Sequence, residues 1–243
     1  LDQVAPEVVD KQQDVKVNEK SIEEYDSVYA EIPVKNATFG RVMLEIMEEK
    51  GVKTNYSSTA FFTMAKKNYL YYVLHEKGVP CPKTVVIASE KSARNIEKLI
   101  PTPVIARKME ELRETEKNIL ESSEEIEKFV EGVEYEEDLI IFQENSEGDK
   151  YKCLVLGNEV ISLKDGSEGW KFDKNSLKYA NPSDKKIKTV KKASKVIGTP
   201  IAEVKLRGNK VYDVNPEPEL ELYSELAGKD VYKKIAEILK EDK

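Results

Sequence analysis

Histidine is nearly missing from this 243-residue chain: His75 is the only one. Two cysteines, Cys81 and Cys153, lie far apart, and Trp170 is the single tryptophan. These scarcities exclude much chemistry. A Cys/His zinc site needs four clustered ligands. A Ser-His-Asp or Cys-His machine would rest on His75 alone. Two unclustered cysteines suit a reducing compartment, so a cytoplasmic location is expected. No run of about 18 apolar residues occurs, so no membrane partner is expected. No signal peptide is visible, and the start at Leu1 rather than Met implies a fragment or a processed chain. A basic surplus is missing too: 39 Lys+Arg stand against 46 Asp+Glu, a net charge of −7. Nucleic acid is therefore not an expected partner, because neutralising phosphates needs net positive charge.

What is present is a globular composition, with 40% hydrophobic residues and a heavily charged surface. Ser27 to Ile32 reads as a strand and Ala37 to Lys50 as a helix ended by Gly51. Thr59 to Lys77 reads as one helix, stopped at Gly78 and by Pro80 and Pro82. Thr84 to Ala88 reads as a strand, with a helix capped by Ser89 behind it. Val104 to Ala106 reads as a short strand, then a polar run from Lys108 to Lys117, then a strand at 118–120. Ser122 and Glu125 have capping-box spacing before Ile126, Phe129 and Val130. Leu139 to Gln143 is a buried-strand run. Gly157-Asn158 joins two strands, and Gly208-Asn209 joins two more. A helix ends at Gly198, and helices from about Glu219 and from Asp230 finish the chain. Mixed strands, helices and hairpins predict an α+β (mixed α/β) class.

The second hairpin carries the most chemistry. Asp213 and Asn215 are two apart on a strand and share a face. Glu203 on the partner strand is near enough to join them. Three oxygen donors on one face suit Mg2+ held together with phosphate oxygens. A polar, solvated hairpin is the competing reading.

Several segments stand in an order that resembles the ATP-grasp superfamily, most closely the RimK-type carboxylate–amine ligases. Asp26-Ser27-Val28-Tyr29, Phe39-Gly40 and Asn55 resemble the end of the N-terminal domain that precedes ATP-grasp. Lys67, Leu74, Gly78-Val79-Pro80, Pro82 and Thr84 resemble the opening of the ATP-grasp domain. Pro103 to Arg107 resembles a strand that ends in the family at a phosphate lysine. Phe142-Gln143-Glu144 resembles the adenine hinge, Lys152 to Val160 the hairpin after it, and Asp213-Val214-Asn215-Pro216 the terminal metal motif. The resemblance implies an ATP-grasp fold, with a partial N-terminal domain over 1–55 and the ATP-grasp domain over 56–243. The latter would divide into subdomains of about 84–140 and about 141–243. It implies ATP and Mg2+ as cofactors. Lys67 and Arg107 would hold phosphates and act in catalysis. Phe142, Gln143, Glu144, Asn145 and Asp149 would surround the nucleotide. Glu203, Asp213 and Asn215 would hold metal, and Lys174 and Asn175 would face substrate.

The implied reaction joins a small-molecule or peptide carboxylate to an amine through an acyl phosphate, in a chain that could form a homo-oligomer. Two departures open an alternative. The family's glycine-rich phosphate flap is replaced by Met109 to Lys117, with no glycine and four glutamates. The family's paired arginines are missing from Lys164 to Lys171. A degenerate relative that binds nucleotide or serves a structural role is the second reading. The first βαβ portion of the family's N-terminal domain also has no counterpart before Leu1.

Overall fold

The structure, a computed structural model, describes residues 4–9, 12–93, 95–110, 113–131 and 138–240. Strands β1 (Val4–Val9), β2 (Gln12–Val17) and β3 (Lys20–Ser21) form an antiparallel sheet. Strand β4 (Ser27–Val28), helix α1 (Ala37–Glu49) and strand β5 (Lys53–Thr54) follow, and the two strands pair in parallel. The strand expected over 27–32 thus stops early. Asn55 takes over beyond it: its Oδ1 accepts from the Ala30 amide at 2.7 Å and its Nδ2 donates to the Ala30 carbonyl at 3.1 Å. A side chain here satisfies backbone that a sheet partner would otherwise satisfy.

The helix expected over 59–77 is two helices, α2 (Ser58–Ala65) and α3 (Lys67–Glu76). Lys66, with ψ at +86°, breaks the helical path between them. The kink places Lys67 at the start of α3.

Two sheets make the body of the molecule. The first contains β6 (Thr84–Ile87), helices α4 (Glu90–Ala93) and α5 (Ile96–Leu99), β7 (Val104–Glu110), β8 (Arg113–Leu120), helix α6 (Ser123–Val130) and β9 (Asp138–Glu144). Its strand order is β6-β9-β7-β8, all antiparallel. β9, the strand expected over 139–143, lies inside this sheet between β6 and β7. One face packs Val104, Ala106, Ile140 and Phe142 against Ile96, Ile126 and Val130 of the helices. The other face is turned to the second sheet.

The second sheet contains β10 (Lys150–Leu156), β11 (Glu159–Asp165), β12 (Leu177–Tyr179), helix α7 (Asp184–Ile197), β13 (Ile201–Arg207) and β14 (Lys210–Asn215), followed by α8 (Leu220–Ala227) and α9 (Val231–Lys240). Its order is β12-β11-β10-β13-β14. Both Gly-Asn hairpins form as expected. Alternation divides the strands between two cores. Cys153, Val155, Ala202, Val204 and Val214 meet Leu70, Leu74, Val190 and Ala193 of α3 and α7. Leu154, Leu156, Ile161 and Ile201 meet Tyr223, Val231 and Ile235 of α8 and α9. Each fully buried aliphatic side chain adds roughly 2 kcal/mol. Among the described residues, no helix is long and apolar enough to cross a membrane.

Candidate functional site

A cleft of ≈ 660 Å³ lies between the two sheets. Its lining carries the cations Lys67, Arg107, Lys117, Lys171, Lys205 and Arg207, against the carboxylates Glu114 and Asp213. A strongly cationic pocket in a chain of net charge −7 is a local arrangement, not a consequence of composition.

Strand period explains the first wall. Arg107 on β7 is opposite Lys117 on β8, and Ile105 is opposite Ile119. Opposite residues share a face, so Ile105, Arg107, Met109 and Lys117 all line the cleft. Glu116 is opposite Lys108, in the other parity. Of the flap glutamates, Glu114 reaches the cleft, where Arg107 Nη1 donates to its Oε2 at 3.2 Å. Glu111 and Leu112 lie outside the described residues. The cleft face of this hairpin thus carries the cations Arg107 and Lys117 beside Glu114, rather than carboxylates alone.

Arg107 is 4% exposed, and its Nε has no hydrogen-bond partner. Its guanidinium lies 5.8 Å from the Tyr71 ring centroid. Tyr71 is buried beneath it and donates to the Tyr212 carbonyl at 2.9 Å. Burial, together with the charge of Arg107, pulls the Lys117 ammonium down to about 7. Lys117 Nζ also lies 4.7 Å from the Trp170 ring centroid, so the first sheet touches the loop of the second across the cleft mouth.

That loop is held at its base. Lys150, on β10, pairs with Asp165 of β11 at 3.0 Å, and both are buried. Asp165 accepts from the amides of Ser167 and Asp173 at 2.8 and 3.0 Å. Lys150 donates to the Lys171 carbonyl at 2.7 Å. These bonds present Trp170, Lys171 and Phe172 to the cleft.

The opposite wall is the second hairpin. Glu203 is opposite Asn215 and Lys205 is opposite Asp213, so all four share a face. Lys67 Nζ, from α3, donates to Asp213 Oδ1 at 2.7 Å. Lys205 Nζ lies 3.5 Å from Asp213 Oδ2 and 3.5 Å from Glu203 Oε1. Burial pushes the Asp213 carboxyl up, but Lys67, Lys205 and Arg107 outweigh it and hold it well below the usual range. Burial likewise opposes the Lys205 charge, and Asp213 and Glu203 outweigh it, keeping the ammonium protonated. Glu203 is 1% exposed and accepts from the Tyr223 hydroxyl at 2.9 Å. Asn215 is folded into a turn: its Oδ1 accepts from the Glu217 amide and its Nδ2 donates to the Glu217 carbonyl. Among the described residues, no three histidine, cysteine or acidic side chains converge as metal ligands.

The hinge residues are placed differently from one another. Phe142, expected to line the nucleotide pocket, points the other way. It is opposite Ala106, in the parity of the helix-covered face, and packs into that core. Gln143 is buried and donates to Thr84 Oγ1 at 3.2 Å, leaving its Oε1 without a partner. Glu144 binds Lys210 at 2.6 Å, and the Tyr212 hydroxyl donates to the Glu144 carbonyl at 2.7 Å. Asn145 Oδ1 accepts from Arg207 at 3.0 Å. Asp149 is exposed and pairs with Lys164 at 2.9 Å, outside the cleft lining. Lys174 pairs with Glu219 at 2.7 Å, and the Asn175 amide donates to Asp173; neither residue lines the cleft. Backbone meets backbone beside the hinge. A Cβ at Gly148, where φ is +111°, would stand 2.8 Å from the Gly208 Cα, and one at Gly208 would stand 2.6 Å from the Glu147 carbonyl oxygen.

Lys117, Lys205, Lys171 and Tyr212 were not singled out from sequence. Parity held a signal for Lys205, which shares the Glu203 and Asp213 face, and for Lys117, once β8 is extended back to Arg113.

Comparison with known proteins agrees with this geometry. Residues 65–239 match the family model for the RimK-like ATP-grasp domain. A Pasteurella multocida protein named as a probable alpha-L-glutamate ligase is 25% identical over 228 residues, covering 85% of this chain and 70% of that protein. The ATP-grasp ligase PsnB, solved with a minimal precursor, Mg and ADP, superposes with a TM-score of 0.67 at 16% identity, covering 97% of this chain and 84% of that one. The D-alanine–D-alanine ligase of Bacillus anthracis, solved with ATP, gives a TM-score of 0.64 at 16% identity, with 88% and 78% covered.

Proposed function

Since this chain belongs to the RimK-like ATP-grasp family, we propose that it joins a carboxylate to an amine at the expense of ATP, through an acyl phosphate. The observation that carries the reading is the cationic cleft between the sheets, with the orphaned Arg107 Nε at its first wall and the Lys67–Asp213–Lys205 cluster at its second. A substrate carboxylate oxygen attacks the γ-phosphorus, and the bond from that phosphorus to the bridging oxygen breaks, releasing ADP. The amine then attacks the acyl carbon, loses a proton, and expels phosphate.

Such transfers are mostly positioning and charge stabilisation. Lys67, Arg107, Lys117 and Lys205 are the groups that hold phosphoryl oxygens. Arg107 offers a planar fork where a lysine offers a point, so it orients as well as attracts. Trp170 and Phe172 cover the cleft mouth and keep water from the acyl phosphate. Lys171 and Arg207 supply positive charge for an acidic substrate, and the name of the Pasteurella relative makes glutamate the first acid to try. Glu203, Asp213 and Asn215 are oxygen donors of the kind Mg2+ takes. As built, each is already engaged by lysine, tyrosine or backbone, so the site does not fit a resident divalent ion.

The test is calorimetric titration with ATP, followed by an ADP-release assay with glutamate and peptide acceptors. Binding that Arg107→Met weakens by about 100-fold, with ADP release dependent on both acid and amine, supports the reading. No binding at millimolar ATP overturns it.

A further inference from the structure

A lysine stands where the oxygen donors of the second hairpin converge. Lys205 follows Glu203 by two residues on β13 and is directly opposite Asp213 on β14. Its ammonium is 3.5 Å from one oxygen of each carboxylate. The remaining oxygens are also taken. Glu203 Oε2 accepts from Tyr223, Asp213 Oδ1 accepts from Lys67, and Asn215 Oδ1 accepts from the Glu217 amide. A divalent ion entering here would meet the charges of Lys67 and Lys205 at contact range and would have to displace one of them.

Lys152 does not hold the pair together. It lies 3.9 Å from Glu203 but 2.8 Å from Glu219, its nearer partner. Among the described residues, the cation paired with both Glu203 and Asp213 is Lys205.

We propose that Lys205 is the built-in cation of this cleft. Its ammonium binds Glu203 and Asp213 together and presents its remaining proton to a phosphate oxygen, so a polyphosphate enters without a divalent ion loading first. An ammonium has three donors; two face the carboxylates, and the side chain lines the cleft with the third to spare. The anion is then met by Lys205, Lys67 and Arg107 as direct charge-assisted donors. The inference rests on the cleft holding the phosphates of ATP, as proposed above.

The experiment is ATP titration of the full chain by calorimetry, in EDTA and in excess Mg2+, for the wild type and for Lys205→Met. Mn2+ is titrated alone and followed by its electron paramagnetic resonance signal. The wild type is expected to bind ATP in EDTA within about threefold of its affinity in Mg2+, and to take up no Mn2+ alone. Lys205→Met is expected to weaken binding in EDTA by about tenfold or more, and to gain Mn2+ binding at the freed carboxylates. A wild type whose ATP affinity drops more than about tenfold in EDTA, or that binds Mn2+ alone, overturns the assignment. The wild-type comparison decides even if Lys205→Met does not fold. ATP failing to bind in both buffers overturns instead the cleft reading on which this rests.

Discussion

The two walls of the cleft carry similar charges in opposite conditions. On the second sheet, Asp213 and Glu203 are matched by Lys67 and Lys205, within a connected set of ion pairs. On the first sheet, Arg107 has one carboxylate partner, Glu114, and a buried Nε with none, while burial beside Arg107 pulls the Lys117 ammonium down to about 7. The matched wall contributes to the fold before any ligand arrives. The unmatched wall is left with charge that only an anion relieves. Buried, under-satisfied donors are costly to keep and mark where a ligand completes the structure.

The sharpest break in that contrast is a stability measurement on the matched wall. Asp213→Ala leaves Lys67 and Lys205 facing each other without their shared carboxylate, and is expected to cost about 3 to 5 kcal/mol in urea unfolding. The same pair gives a pH signature. Asp213 has a depressed folded pKa, so its contribution is full above its unfolded value of 3.8 and drains as pH falls toward the folded value. Acid unfolding of the wild type should steepen below that point, and Asp213→Asn should remove the steepening. Unchanged acid unfolding would count against the matched wall.

On the unmatched wall the effects should fall on binding. Arg107→Met is expected to weaken ATP binding by about 100-fold while leaving thermal stability equal or higher, since it removes a buried charge that lacks full pairing. A large fall in melting temperature would mean that Arg107 belongs to the matched class. Lys117 gives a smaller, titratable effect. It is half deprotonated near 7 in the free protein, so phosphate binding must restore a proton. ATP affinity should fall roughly tenfold from about pH 7.5 to about pH 9, with proton uptake seen by calorimetry in two buffers, and Lys117→Met should flatten the profile. The smallest effect belongs to Glu114. Glu114→Gln frees Arg107 from its competing carboxylate and should tighten ATP binding by about threefold.

Much of the fold could be read along the chain where local chemistry decides it. The Gly157-Asn158 and Gly208-Asn209 turns, the Ser122 cap and the Gly198 stop all stand where expected. The misses have separate causes. Ser27 to Ile32 reads as a strand, but past Val28 the Ala30 backbone bonds to the side chain of Asn55, distant in sequence. The helix expected over 59–77 breaks at Lys66, which carries no proline or glycine signal. The polar run 108–117 hides an alternation that its pairing with β7 reveals. Lys67, Arg107, Asp213 and Asn215, singled out from sequence, line the cleft, whereas Lys205 was passed over, since a search for oxygen donors skips a lysine among them. Phe142 was placed in the pocket by its neighbours in sequence, whereas strand parity turns it into the helix-covered core.

The Gly148–Gly208 contact bears on how the chain enters the second sheet. Gly148 just precedes β10 and Gly208 is in the β13–β14 turn, so the two main chains touch in line with the β10–β13 ladder, and the Gly208 amide donates to the Asp149 carbonyl at 2.9 Å. The link arriving from β9 is thereby clamped to the second sheet before β10 begins. A methyl at Gly208 would stand 2.6 Å from the Glu147 carbonyl oxygen and would have to push that link off the turn. Gly208→Ala is expected to lower the melting temperature, and an unchanged melting temperature would mean that the link has room to shift.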